Sequence, residues 1–128
     1  MNDELKTNIK TLLGIIRTGK DFTKAKDFNS LFLEAENIIS WQAYLIGPMF
    51  DIEHRYRLIV SGLVEAGESN AKADTLAKAR QEYVDWQKIR AVYELGTEQL
   101  LLIKKFSDKL EMEQRNTNPP RSRSPFTN

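Results

Sequence analysis

A long heptad stripe in the first half of the chain constrains the fold more than any other feature. Between positions 35 and 66, apolar residues follow one another at alternating spacings of three and four, and Gln42 is the one polar residue among them. The stripe keeps its phase across Gly47 and Pro48, which favours one continuous helix from about Ser30 to Ala66. A break at Gly47 is the alternative, because a proline inside a helix costs roughly 3 kcal/mol. The stripe consists of Ala35, Ile38, Gln42, Leu45, Met49, Ile52, Tyr56, Ile59, Leu63 and Ala66.

A second stripe of the same kind predicts a partner helix from about Gln81 to Arg115. Between the two long helices, a turn at 67–70 and a short helix through 71–79 reverse the chain, with Ser69 or Asn70 as the N-cap. We therefore predict an all-α fold, a long antiparallel helical hairpin with a short cap helix at its tip. The second stripe consists of Trp86, Ile89, Tyr93, Gly96, Leu100, Ile103 and Leu110, widened by Val92 and Phe106.

The two ends of the chain differ in character. The apolar side of a short amphipathic helix, with Asn2 as its expected N-cap and its end near Gly19, consists of Leu5, Ile9, Leu12, Leu13 and Ile16. We expect this N-terminal helix to pack on the hairpin and residues 20–29 to form a linker. Residues 116–128 are polar and contain three prolines, which is typical of disorder. The predicted organisation is one helical domain, 1–115, and a disordered tail, 116–128.

The composition excludes several kinds of chemistry. The chain has no cysteine and one histidine, His54, so thiolate catalysis and histidine-rich metal sites are excluded by count. The glycines are isolated and form no phosphate-binding loop. Glu34 and Glu36 are two residues apart and point to different faces of a helix. We therefore expect no catalytic residue, no metal and no cofactor, and we predict that the protein is not an enzyme.

The membrane is not an expected partner. No apolar run approaches the roughly 20 residues that span a bilayer, and the formal net charge is +1. The sequence predicts a cytoplasmic protein.

Many large apolar residues lie outside the two stripes. The N-terminal helix is too short to cover them all, so we predict self-association as a homo-oligomer, or binding of a protein partner through an exposed apolar helical stripe. These residues are Phe32, Leu33, Trp41, Tyr44, Ile46, Phe50, Leu58, Val60, Leu95, Leu101, Leu102 and Met112.

Basic residues near aromatic ones provide the candidate binding site. Cations attract phosphates and aromatic rings stack on bases, the combination that binds single-stranded nucleic acid. An antiparallel hairpin brings the candidates towards its tip, where Lys72 and Lys78 also lie. Acidic residues such as Glu53 and Asp85 share this region, so the alternative is a solvated surface of mixed charge around buried aromatics. The candidates are Arg55, Arg57, Arg80, Tyr83, Lys88 and Arg90.

The segment from Gly67 to Tyr83, GESNAKADTLAKARQEY, followed by a long helix that contains Ile103, Lys104, Lys105 and Leu110, resembles small helical proteins of tailed phages. Over residues 31–115 the order of elements is similar to that of UvsY-type recombination mediators. The resemblance implies an oligomeric, single-strand-binding accessory protein that helps to load a recombinase onto DNA coated with single-strand-binding protein. The competing hypothesis is a structural or regulatory interaction module, such as an assembly chaperone or an inhibitor.

Overall fold

The computed structural model describes residues 1–19 and 27–117, and this part of the chain contains four helices. They are α1 (Asp3–Thr18), α2 (Phe28–Glu65), α3 (Asn70–Lys78) and α4 (Gln81–Thr117). The two long helices, α2 and α4, run antiparallel and make the most extensive contact, α3 caps their tip, and α1 packs against both. The predicted all-α hairpin with a cap helix and an N-terminal packing helix is confirmed.

Side-chain caps determine where three of the helices begin. Asn2 Oδ1 accepts a hydrogen bond from the amide of Leu5 at 2.8 Å, and Ser69 Oγ accepts one from the amide of Lys72 at 3.2 Å. Asp27 Oδ1 accepts from the amide of Ser30 at 2.8 Å, and hydrogen bonds from Ser30 lower the pKa of Asp27. Because Asp27 is the cap, α2 begins at Phe28, two residues before the predicted start.

The two predicted segments without helical structure fall mostly outside the described residues. Of the predicted linker, positions 20–26 lie outside them, whereas 28 and 29 belong to α2, which corrects the linker boundary. Of the predicted disordered tail, positions 118–128 lie outside them. Helix α4 continues through Thr117, so positions 116 and 117, which were predicted to begin the disordered tail, are helical.

The predicted continuity of α2 across Pro48 is confirmed. The helix runs from Phe28 to Glu65 with Pro48 in its interior, so the chain forgoes one backbone hydrogen bond there. A long helix that packs on α4 tolerates the loss of this one hydrogen bond, so α2 is not interrupted at Pro48.

The core follows the two predicted stripes. Leu12, Ile38, Leu45 and Ile89 have no exposed surface, and Ile52, Tyr56, Val92 and Ile103 are buried beside them. Leu31 is also buried, although the predicted stripe began four residues later. Trp41 and Val60 were predicted to be exposed and are half-buried, and Trp41 packs against the core.

One polar contact sets the register between α2 and α4. Gln42 is 6% exposed, and its Nε2 donates to the carbonyl of Tyr93 at 2.9 Å and to Thr97 Oγ1 at 3.1 Å. Gly96 makes room for this amide, because a Cβ at Gly96 would stand 2.7 Å from Gln42 Nε2. A slip of one turn would leave the buried amide of Gln42 without these acceptors.

Polar contacts also hold α1 on the hairpin. The amino group of Met1 lies 3.3 Å from Oδ2 of the buried Asp85, whose Oδ1 accepts from Gln81 Nε2 at 2.8 Å. At the other end of α1, Nε2 of the buried Gln99 donates to the carbonyl of Gly19 at 3.1 Å. Both contacts join residues more than 75 positions apart, so they fix the tertiary position of α1.

Replacement of Pro48 by alanine should stabilise the protein. The alanine amide restores the missing helical hydrogen bond, and we expect the free energy of unfolding to rise by about 1–2 kcal/mol after allowance for the more flexible unfolded chain. Chemical denaturation monitored by circular dichroism measures the change. A loss of stability would contradict a continuous α2.

A pair of glycine substitutions tests the contact of Gln42 with Gly96. In Gly62→Ala the new methyl group meets nothing within 4 Å, so the gain in helix propensity should stabilise the protein by up to about 1 kcal/mol. In Gly96→Ala the methyl group displaces Gln42, and we expect a net loss of about 1 kcal/mol. Equal stabilisation in the two variants, measured by denaturation, would show that the contact does not constrain the hairpin.

Candidate functional site

The cations near the tip of the hairpin are partly paired with acids one helical turn away: Arg57 and Arg90 of the predicted site, and Lys72 and Lys78 beside it. Four i,i+4 ion pairs occupy this region. Such surface pairs are worth little in stability, but they neutralise the field that a phosphate would meet. Their distances are 2.7 Å for Arg57–Glu53, 3.3 Å for Lys72–Glu68, 3.0 Å for Lys78–Asp74 and 3.1 Å for Arg90–Glu94.

The same cations do not share one surface. Positions two apart on a helix point in nearly opposite directions, which separates Arg55 from Arg57 and Lys88 from Arg90. Arg57 and Arg90 line one groove between α2 and α4, together with Glu53, Glu94 and Glu98. Arg55 lines a cleft with the start of α1, and Lys88 lines a cleft between α1 and α4.

Tyr83 belongs to an aromatic cluster at the base of the cap. Its ring lies 5.1 Å from Tyr56 and 6.0 Å from Trp86, centroid to centroid. Arg90 Cζ lies 5.6 Å from the centroid of Trp86, a cation–π contact. Tyr83 is half-buried in this cluster, so a base stacking on it would have access to one part of the ring.

A hydrogen bond ties this aromatic cluster to α3. The hydroxyl of Tyr56 donates to Asp74 Oδ1 at 2.9 Å. Hydrogen bonds from Lys78 and from Tyr56 lower the pKa of Asp74, and burial raises the pKa of Tyr56. The hydrogen bond from Tyr56 joins the cap helix to α2, and the ion pair with Lys78 lies within α3 beside the accepting carboxylate, which gives Tyr56, Lys78 and Asp74 a structural role.

The hairpin has two long sides, and α1 occupies only one of them. Residues of α1 line the clefts that contain Arg55 and Lys88. On the opposite side, Met49 and Tyr93 line one stretch of a groove, and Phe32 and Leu100 line another; every lining residue of both stretches comes from α2 or α4. We call this second side the open groove.

An apolar row without a charge runs along the side of α2 that borders the open groove; Phe28, Phe32 and Ala35 line the groove itself, and towards the tip its α2 wall is Met49, Glu53 and Arg57. The members of the row follow one another at spacings of 4, 3, 4, 4, 3 and 4 residues, which places them on one face of the helix. Phe32 is 64% exposed, Phe50 60% and Ile39 55%, while Phe28 and Ile46 are exposed to a smaller extent. The row consists of Phe28, Phe32, Ala35, Ile39, Ala43, Ile46 and Phe50, and we call it the exposed row, although Ala35 is half-buried against the core and also begins the predicted buried stripe.

Three members of the exposed row belong to the apolar residues predicted outside the two stripes, but the row as a whole was not predicted. Phe32, Ile46 and Phe50 were among the predicted exposed residues, whereas Phe28 and Ile39 were not. The signal that identifies the row is in the sequence, since its spacing repeats that of the buried stripe at a different helical phase. The stronger buried stripe obscures it.

Glu34 is a second unusual group, at the junction of α1 and α2. Its Oε1 is buried and has no hydrogen-bond partner within the residues that the structure describes, and it packs against Gly19. Burial raises the pKa of the Glu34 carboxyl. The group lies beside a shallow polar cleft lined by Leu33, Asn37 and Ser40 rather than in the open groove.

The described residues form neither a metal site nor a membrane-spanning helix. In ranges 1–19 and 27–117, no three His, Cys, Asp or Glu side chains are grouped so that they could hold a metal ion. No helix in the same ranges combines the length and the apolar character that crossing a membrane requires. The cytoplasmic location stays a prediction.

Comparisons with family models, with curated proteins and with solved structures find no match for this chain. The resemblance to UvsY-type mediators therefore stays a prediction, and the proposals below depend on the geometry of the chain itself.

Proposed function

We propose that this protein is a helical protein–protein interaction module that binds an α-helix in the open groove between α2 and α4. The exposed row carries this proposal. Water-exposed helices of globular proteins normally present polar residues on the outward face, yet seven positions in succession along this face are apolar. An uncharged row that borders a groove between two helices is the kind of surface that an amphipathic partner helix buries.

The length of the exposed row suits a helix of ordinary size. From Phe28 to Phe50 the row extends about 33 Å at 1.5 Å per residue, which corresponds to about six turns of a partner helix. The charged residues of the groove lie at its ends and along the α4 wall. Glu53, Arg57, Arg90 and Glu94 lie towards the tip, and Lys104 and Asp108 towards the other end. An apolar centre with a polar rim is the usual composition of a protein interface.

Footprinting with hydroxyl radicals in the natural host tests this proposal with a matched pair of aromatic residues. Phe50 in the exposed row and Tyr44 outside it are each 60% exposed. A bound helix should protect Phe50, and we expect its oxidation to fall at least about threefold relative to the purified protein at nanomolar concentration, with Tyr44 unchanged. Equal oxidation of Phe50 in the two samples would contradict binding in the open groove.

A second candidate function, an accessory role in DNA recombination or replication, is favoured by three cations. Arg55, Arg80 and Lys88 are exposed, and no acid among the described residues forms an ion pair with them. In an oligomer these weak contacts would repeat and act together on one single-stranded DNA. The two functions are compatible, because these cations lie outside the open groove.

Fluorescence anisotropy with a labelled single-stranded oligonucleotide tests the second candidate. The double variant Arg80→Ala/Lys88→Ala should weaken binding and lower the slope of log affinity against log salt by about 1.4, from about 0.7 per lost phosphate contact. The control Arg57→Ala/Arg90→Ala removes cations that pair with Glu53 and Glu94, so its effect should be smaller. Absence of binding at low salt would remove this candidate.

A further inference from the structure

We propose that the helix bound in the open groove is α2 of a second copy of this chain, packed antiparallel about a two-fold axis at Ile39. The inference rests on the proposed function and names its partner. It makes the exposed row an isologous interface, in which the same surface of each copy covers the other.

The exposed row is nearly palindromic about Ile39. Its spacings read 4, 3, 4, 4, 3, 4 in both directions. Reversal about Ile39 exchanges Phe28 with Phe50, Phe32 with Ile46, and Ala35 with Ala43. Large side chains meet large ones and small meet small at every position. A foreign helix imposes no such pattern on the surface that binds it, whereas in an antiparallel pair of copies each residue of the row meets its counterpart across Ile39, and the pattern is compatible with that pairing.

The two alanines of the row explain how the helices approach each other. Ala35 and Ala43 flank Ile39 by four residues on either side, one turn away in each direction. Small residues on either side of Ile39 leave the contact between the two Ile39 side chains uncrowded, which favours the shorter end of the range of about 8–10 Å between packed helix axes. The large residues at the ends of the row then close the interface above and below.

Charges on α4 agree with the same axis. Gln42 lies at the level of Gly96, and Ala35 lies in the groove beside Ile103, so Ile39 is level with position 99 of α4. Reversal about this level brings Arg90 opposite Asp108 of the second copy and Glu94 opposite Lys104. Each pair joins opposite charges, and all four residues line the open groove, whereas Glu98, which lines the groove beside the axis, comes near Glu98 of the second copy and opposes the association.

The exposed area is that of an interface. The five large side chains of the exposed row leave roughly 500 Å² of apolar surface accessible, given side-chain areas of about 150–250 Å². Leu101, the exposed apolar residue of α4 nearest the proposed axis, is 56% exposed and adds to the same face. Patches above a few hundred Å² mark interaction sites, and a standard interface takes about 800 Å² from each partner, rim included.

Single-cysteine variants of the full chain test this arrangement, because the chain has no cysteine of its own. A residue on the two-fold axis faces its own symmetry mate, so Ile39→Cys should oxidise to a disulfide-linked dimer. Ile46→Cys faces position 32 of the second copy; it should form dimers poorly alone and readily when mixed with Phe32→Cys. Tyr44→Cys, which is equally exposed outside the row, is the control and should stay unlinked.

Two results would overturn the proposal. If Ile39→Cys oxidises no faster than Tyr44→Cys, the axis does not lie at Ile39. If Ile46→Cys links to itself as fast as Ile39→Cys, the two copies are parallel. Circular dichroism of each variant checks that the helices are intact. We expect them to be intact, because all four substituted side chains are exposed in the single chain.

A charge variant gives an independent readout by sedimentation equilibrium. Ile39→Glu places two carboxylates face to face and should raise the dimer dissociation constant by roughly 100-fold or more, whereas Tyr44→Glu should change it within about threefold. A wild-type chain that sediments as a 14.8 kDa monomer at 100 micromolar would overturn the second copy as partner. Protection of Phe50 in the host would then still support the groove as a binding site, so the two proposals fail separately.

Discussion

The fit of Gln42 against Gly96 is the contact on which the rest of the structure depends. The amide of Gln42 is buried and satisfied by the carbonyl of Tyr93 and the hydroxyl of Thr97, and the missing side chain of Gly96 allows it to approach. Apolar contacts between two heptad stripes are similar in neighbouring registers, since any slip by a heptad still buries leucines and isoleucines. A buried amide needs its partners at one position, so it selects one register.

This register determines the surfaces of the molecule as well as its core. It brings Tyr56 beside Trp86 at the tip and leaves the exposed row along one side of α2, with the centre of the row near the level of Leu101 on α4. The opposite side is covered by α1, which is held through Asp85 and Gln99. The hairpin is therefore covered on one face and open on the other, and two helices from another molecule would complete it as in helical bundles.

Much of the fold could be predicted from the sequence because it is local in origin. The heptad spacing identified both long helices and their buried sides, and Asn2 and Ser69 were recognisable as caps. Asp27 was not, since charges and aromatics around it have no clear period. The burial of Asp85 and Gln99 was unpredictable, because their partners lie at the far end of the chain and only the folded structure brings them together.

The candidate site was harder to predict than the fold. The basic residues were named from their number and their nearness to aromatics, but the two-residue spacing of Arg55 and Arg57, and of Lys88 and Arg90, already places them on opposite faces. The pairing of Arg57 with Glu53 and of Arg90 with Glu94 also follows from i,i+4 spacing. The exposed row was not predicted because it runs along the same segment as the buried stripe. Apolar residues then occur on two faces of α2, and the stronger periodicity of the buried stripe hides the weaker one.

The most direct test of the open groove as a self-association surface is a distance between two copies in solution. Pulsed electron paramagnetic resonance on a chain with one spin label at position 58, where the exposed Leu58 lies far from the exposed row, measures it. An antiparallel pair centred on Ile39 places the two labels roughly 57 Å apart along the helix axis, at 1.5 Å per residue. A distance near 60 Å is the predicted result. A distance near 20 Å, or no dipolar coupling between molecules, would contradict it.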